Sequence, residues 1–373
     1  MKFQVSSTKL LQQMQALSRV IAAKNSLQIL ETVLFRIEGN ELHLTASDGE
    51  TTMCTVISVE GEGSGKVSFD AKRLLDTLKE FPEQPLTFEI NDQNFGLNIV
   101  SSNGNYSFVG VNGAEYPEMA QQLEGAQQFV IPASVLLGAL NKTVFCTADD
   151  ELRPVMNGVF FDLSPEKVTL VATDAHRLVR YINFTAHTES PANFILPKKP
   201  ANLLRNVLAK EQDDVKVTFT DKHVRFEFGQ TVIVCRQIEG RFPNYNAVIP
   251  QSNENRITVD RQTILNAAKR VAVFANPGTG LIKLSLSENK INISAQDIDF
   301  STSAEETIEC SYQGAAMNIG FKAPFLIEIL GAVQSNDVVI ELSDPSKAGL
   351  ILPFENEEGE DIVMLLMPML LND

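Results

Sequence analysis

Tryptophan is absent from the 373 residues, and aromatic side chains make up only 7% of them. A surface that stacks unpaired bases needs such rings, so single-strand binding is disfavoured. Cysteine is almost as scarce. Cys54, Cys146, Cys235 and Cys310 stand far apart, with no pair at C-x-x-C spacing. That spacing speaks against a cysteine zinc site and a dithiol redox motif, and it leaves reduced, mostly buried thiols. The four histidines, His43, His176, His187 and His223, form no H-x-x-x-H pattern, so no metal or other cofactor is expected. Long apolar runs are missing too. The longest, Ile362 to Leu371, is broken by Pro368 and is too short to span a bilayer. The opening Met1-Lys2-Phe3-Gln4 lacks a signal-peptide run. These absences predict a soluble cytoplasmic protein with no membrane partner.

Catalytic motifs are also lacking. No G-x-x-x-x-G-K-[ST], G-x-S-x-G or H-E-x-x-H occurs. Gly61-Glu62-Gly63-Ser64-Gly65-Lys66 has the wrong spacing for a phosphate loop and reads as a hairpin turn. Asp149-Asp150-Glu151 and Glu355 to Asp361 read as solvated loops. No nucleophile stands beside His176 in sequence. No catalytic residue is assigned, and the expectation is a protein that is not an enzyme.

What is present is repetition. Val5…Leu10-Leu11, Ile131…Leu136-Leu137 and Val259…Ile264-Leu265 share one pattern at offsets of 126 and 128 residues. Leu42 to Asp48, Val168 to Asp174 and Ile291 to Asp297 alternate apolar and polar residues and end alike in Ala-x-Asp, as a strand entering a turn does. Three domains follow: 1–125, 126–252 and 253–373. Each repeats within itself, as in Phe69…Leu74-Leu75, Leu196…Leu203-Leu204 and Phe321…Leu326-Ile327. The predicted fold class is α+β, with three pseudo-repeated domains of two strand–helix–sheet half-repeats each. Apolar residues, at 44%, suffice for a core in every domain. If three domains make only half a turn, two chains are needed to close a ring.

Charge is sorted along this pattern. The chain carries a net −16, which taken whole opposes a nucleic-acid partner. Yet the six predicted helices, 8–19, 71–80, 133–144, 199–210, 261–272 and 323–334, hold twelve Lys and Arg against three acids. Glu forms helices nearly as well as Lys, so helix propensity does not account for the excess. The helices predict a surface facing a polyanion, with charge scattered so that it grips phosphates without reading bases. Two other readings stay open from the residues alone: a repeat scaffold that binds only proteins, and an enzyme with an unrecognised site.

Several segments resemble the bacterial DNA sliding clamp family, the beta subunit of DNA polymerase III. They are Met1-Lys2-Phe3, Met156-Asn157-Gly158, Ala172-Thr173-Asp174-Ala175-His176-Arg177-Leu178, Glu239-Gly240-Arg241-Phe242-Pro243-Asn244-Tyr245 and Met367-Pro368-Met369-Leu370. The resemblance covers the whole chain. It implies the DNA clamp fold, with helices lining a ring and antiparallel sheets outside, formed by a head-to-tail homodimer that encircles duplex DNA as a processivity factor. It implies a pocket for short motifs of the Gln-Leu-x-Leu-Phe kind, borne by the DNA polymerase III alpha subunit, the clamp loader, other polymerases, and mismatch-repair or ligase proteins. The pocket positions fall on Thr173, Ala175, His176, Arg177, Leu178, Pro243 and Val248, with Arg153 and Met156 at the border. Leu365, Leu366, Met367, Pro368, Met369 and Leu370 complete it. Ala175 stands where the family commonly has glycine, and Leu370 where a basic residue often sits. The DNA-facing cations expected are Lys24, Lys72, Lys79, Lys142, Lys198, Lys199, Arg205, Lys210 and Lys269. The dimer contact is expected to join Tyr106 to Val273 and Phe274, with Arg73 facing Glu305 and Glu306.

Overall fold

The structure is a computed structural model, which describes residues 1–22, 25, 27–118, 123 and 125–371. Six α-helices occur among the described residues: α1 (Ser7–Leu17), α2 (Ala71–Lys79), α3 (Ala133–Thr143), α4 (Lys198–Leu208), α5 (Arg261–Ala272) and α6 (Ala323–Ala332). Each follows directly on a strand, as the half-repeat pattern predicts. The turn from strand to helix is set by local chemistry. Ser6 Oγ accepts the Lys9 N–H at 3.1 Å, Asp70 Oδ1 the Arg73 N–H at 2.7 Å, and Asp260 Oδ1 the Thr263 N–H at 2.7 Å. Such caps satisfy amides that the first helical turn leaves open, and each contributes roughly 1 kcal/mol. The apolar stripe then points inward: Leu10, Met14 and Leu17 of α1 are fully buried, at the spacing that puts one face of a helix on a sheet.

The chain forms two compact units, Met1–Leu137 with Lys199–Gln237, and Gly138–Lys198 with Ile238–Asp373. The two halves of the middle repeat fall in different units. Each unit is held by a sheet that runs across a repeat boundary. In the first unit, Thr51–Ser58 pairs antiparallel with Thr231–Arg236, Thr55 opposite Thr231 and Thr51 opposite Cys235, within a nine-stranded sheet. In the second, Arg177–Asn183 pairs antiparallel with Glu360–Leu366, Arg177 opposite Leu366 and Asn183 opposite Glu360, within an eight-stranded sheet. These two seams use equivalent strands of successive repeats. The remaining equivalents are Thr302–Glu309 and Asn105–Val109. They lie at the edges of a four-stranded and a five-stranded sheet, with no partner on the outer side among the described residues.

Both cores rest on aromatic pairs. In the first unit Phe3 stacks on Phe88 at 4.9 Å, and Phe35 meets Phe69 edge-on at 5.4 Å. In the second, Phe161 stacks on Phe194 at 4.5 Å. The four cysteines are free thiols, and burial pushes the Cys146 and Cys235 thiols well above the ordinary range, which leaves them unreactive. Among the described residues no helix is long and apolar enough to cross a membrane.

The fully buried Phe161 supplies the central packing of the eight-stranded sheet. Phe161→Ala is expected to lower the unfolding free energy by about 3–5 kcal/mol, read as an earlier urea midpoint.

Candidate functional site

The second seam builds a site around one tight hairpin. Asp174 caps the turn: its Oδ1 accepts the backbone N–H of His176 at 2.9 Å and of Arg177 at 3.0 Å. Thr173 Oγ1 donates to the Arg177 carbonyl at 2.7 Å and accepts the Ala175 N–H at 3.1 Å. The turn sets Ala175 at φ 74°, a left-handed conformation that costs a residue with a Cβ roughly 1–2 kcal/mol. It also lifts His176 into solvent.

Beyond the hairpin, side chains alternate between two faces. Leu178, Leu365 and Leu350 stand in register across three strands. They form one apolar cluster with Val171, Ile195, Phe242 and Tyr245, and the partly buried Val155 and Val363 pack against it. The connector after Gln237 covers this face. Phe242 stacks on Phe160 at 4.7 Å, and Tyr245 Oη donates to Asp162 Oδ2 at 2.7 Å. Burial, reinforced by that bond, pushes the Tyr245 phenol up to about 12, so it stays a neutral donor. Gly240 passes so close to Val155 that a Cβ would lie 2.8 Å from its Cγ1. The loop bearing Arg153 and Met156 is thereby drawn to the same face. Arg153 itself is held by Asp150, Nε to Oδ2 at 2.8 Å.

Arg177 and Leu366 lie on the opposite face, toward α6. The buried Arg177 guanidinium donates to Asp174 Oδ2 at 3.0 Å, to the Phe145 carbonyl at 2.9 Å and to Glu328. Its Cζ lies 4.4 Å from the centre of the Phe325 ring. Burial opposes its charge, but Glu328 and the neighbouring groups carry its pKa above the ordinary value. Arg177 is thus committed to holding the hairpin on α6, and Leu366 to the core. Neither faces the apolar cluster, which departs from the pocket set read in the sequence. His176 stacks on Phe325, outside that cluster, with ring centres 6.1 Å apart.

The C-terminal run also departs from expectation. Glu360–Leu366 is an ordinary central strand, and only the residues after it form a wall. The Met367 N–H donates to the His176 carbonyl at 2.9 Å, and the Met369 N–H to the Gly320 carbonyl at 2.8 Å. Gly320 is required here, since a Cβ would come within 2.9 Å of the Met369 carbonyl. The pinned tail leaves Met367 and Leu370 exposed. It borders a cavity of about 600 Å³ lined by Gly320, Pro345, Ser346, Met369 and Leu370 among others. Pro243 and Val248 are exposed on the connector. Leu178, Phe242 and Leu365 share the apolar cluster, Thr173 braces the hairpin, and the tail is bonded to it at His176. Phe325, Gly320 and Ser346 were not singled out from the sequence. Phe325 and Ser346 sit in an unremarkable helix start and turn, and Gly320 carries no motif.

Of the expected DNA-facing cations, Lys24 lies outside the described residues. Lys72, Lys79, Lys199, Lys210 and Lys269 are exposed, and Lys198 and Arg205 are half-buried. Three of them are partly neutralised by acids: Lys79 by Asp76 at 3.0 Å, Lys198 by Asp149 at 2.5 Å, and Lys199 by Asp48. Lys142 is a correction. It is only 6% exposed, and its ammonium meets Glu360 Oε2 at 2.5 Å and Glu357 at 3.5 Å, above the Tyr181 ring. The helices do not share the charge evenly either, since α6 carries no cation. Of the expected dimer residues, Tyr106, Val273 and Phe274 are exposed. Glu306 is engaged within the chain, its Oε1 2.5 Å from Arg270 Nη2, and Glu305 accepts from Asn292 at 2.7 Å.

The second unit thus combines a buried apolar cluster with a rim of exposed apolar side chains, Val248, Met367 and Leu370, beside a pinned tail. The chain matches three family descriptions in succession: DNA polymerase III beta subunit, N-terminal domain over residues 1–120, central domain over 130–244 and C-terminal domain over 246–369. It is 25% identical to the beta sliding clamp of Pseudomonas aeruginosa, over 98% of this chain and 99% of that protein. It is 28% identical to that of Synechococcus elongatus, over 99% of each. A crystal structure of the Pseudomonas aeruginosa clamp superposes with a TM-score of 0.93 at 25% identity, covering 100% of both chains. That of Bacillus subtilis superposes at 0.92 with 22% identity over 100% of each, a likeness of fold. The chain belongs to the family of bacterial DNA polymerase III beta subunits, the beta sliding clamps. It is a DNA-replication processivity factor and not an enzyme, and it partners DNA, the polymerase and a second copy of itself.

Lys142→Met would leave Glu360 buried beside Tyr181 without its cation. The expected loss is about 3–5 kcal/mol of stability, with the salt dependence of DNA binding unchanged. Lys269→Met should do the reverse, leaving stability intact and making the salt slope shallower by about 1.

Proposed function

We propose that two copies close head to tail through the two open edges, Thr302–Glu309 of one and Asn105–Val109 of the other. The two seams within the chain support this, since each pairs the equivalent strands antiparallel. An exposed strand edge also calls for a partner. Phe274 is suited to the concavity of about 730 Å³ bounded by Arg73, Thr77, Phe81 and Tyr106. Arg73 then faces Glu305, while Glu306 keeps Arg270. Duplex DNA passes through the ring so formed, held loosely because several helix cations are already matched by acids. Light scattering at micromolar concentration is expected to give twice the chain mass, and Phe274→Asp to give the chain mass. A wild-type monomer would contradict closure.

The apolar surface under the C-terminal tail takes short Gln-Leu-x-Leu-Phe-like motifs from the polymerase alpha subunit, the clamp loader, other polymerases, and mismatch-repair and ligase proteins of the cytoplasm. The observation that carries this reading is the cluster joining Leu178, Phe242 and Leu365 beside a tail held at both Met367 and Met369. A few apolar peptide side chains contribute roughly 1.5–3 kcal/mol each before ordering costs. The net is micromolar affinity, about −8 kcal/mol, which suits partners that exchange. Deleting residues 367–373 spares the strand Glu360–Leu366. Calorimetry with a Gln-Leu-x-Leu-Phe peptide is expected to show binding lost while the dimer persists. Unchanged affinity would place the site elsewhere.

A further inference from the structure

The hairpin loops at the three equivalent seam positions differ. Six residues lie between the paired Ala46 and Met53, and six between Ala172 and Val179. In the third repeat eight lie between the equivalent Ala295 and Ala304, and the turn runs from Ile298 to Ser301. The added length presents two large apolar side chains to solvent, Ile298 at 79% exposure and Phe300 at 75%. This loop is fixed. The buried Asp297 carboxylate accepts the Asp299 N–H at 3.0 Å and the Phe300 N–H at 3.4 Å. The Asn276 amide bridges Asp297 and Asp299 at 3.4 Å each, which brings the loop to the segment that follows Val273 and Phe274. The adjoining edge strand, Thr302–Glu309, offers mainly Thr, Ser and Glu to a neighbour. Apolar contact along the paired edge itself must therefore come from side chains beside the strand.

The two seams within the chain show what runs along such a loop. The Arg236 N–H donates to the Glu50 carbonyl, and the Met367 N–H to the His176 carbonyl, both at 2.9 Å. In each case the donor is at the end of the partner strand, level with or just past its last paired residue. The equivalent partner strand at the third seam is Asn105–Val109, which ends in Val109 and continues into Gly110 and Val111. Val109 is 83% exposed, and Val111 is exposed as well. We propose that Ile298 and Phe300 of one copy form an apolar clasp on Val109 and Val111 of the second copy. The clasp adds a second salt-insensitive contact, beside that of Phe274, to a seam built on backbone pairing and charge. This rests on the two-copy closure proposed above.

The test is sedimentation across a concentration series with the Ile298→Ser, Phe300→Ser double variant. Both side chains are exposed, so the fold does not depend on them, and groove-peptide affinity serves as the check. The dimer dissociation constant is expected to rise at least tenfold, with peptide affinity unchanged. A dimeric wild type with an unaltered constant in the variant would overturn the clasp and leave closure standing. A monomeric wild type would overturn closure, and the clasp with it. A second arm carries Val109→Cys with Phe300→Cys. Oxidation is expected to give a covalent dimer on a denaturing gel that neither single variant gives, and its absence would also overturn the clasp.

Discussion

Backbone pairing between strands of successive repeats is the constraint on which the rest depends. A half-repeat of strand, helix and antiparallel strands ends in an edge, and an unpaired edge leaves amides and carbonyls without partners. Within the chain two such edges are consumed, Thr51–Ser58 by Thr231–Arg236 and Arg177–Asn183 by Glu360–Leu366. Sheets therefore pass through the repeat boundaries, and the compact units do not coincide with the repeats. The two edges left over, Asn105–Val109 and Thr302–Glu309, are what a second copy can satisfy.

The apolar cluster on which the proposed docking site rests is a consequence of the second seam. Pairing Arg177–Asn183 with Glu360–Leu366 puts Leu178 opposite Leu365 and, through the next strand, Leu350. It also delivers the chain end beside the hairpin, where the His176 carbonyl receives the Met367 amide. Arg177 then ties the hairpin to α6 through Glu328 and Phe325, so the geometry of the surface and the position of that helix are set by one guanidinium. The acids beside Lys79, Lys198 and Lys199 have the complementary effect on the helices. They reduce the free positive charge available to phosphates, which favours sliding over gripping.

Much of this was legible in the residues. The period of the Leu10-Leu11 pattern located all six helices, and the Ala-x-Asp endings located the equivalent strand–turn positions in all three repeats. Motif resemblance linked the hairpin from Thr173 to Leu178 with the chain end, which lies far away in sequence. Other features were not legible, for specific physical reasons. That Leu365 faces the apolar cluster while Leu366 faces α6 depends on register, and an all-apolar run hides its own alternation. Lys142 reads as a helix-surface cation until Glu360, more than two hundred residues away, is seen to bury it. Glu306 reads as an acid available to a partner until Arg270 is found beside it. Phe325 meets His176 and Arg177, and Ser346 meets the tail's cavity, only through the folded chain.

The most direct test of the account is retention on DNA of two topologies. The chain is loaded onto a closed circular plasmid and washed at a salt concentration that removes it from short linear duplex, and half of the sample is then cut once with a restriction enzyme. Closure through the two open edges predicts that the protein stays with the intact circle and is lost from the cut one. Loss from both at the same salt concentration, or retention on both, would contradict enclosure.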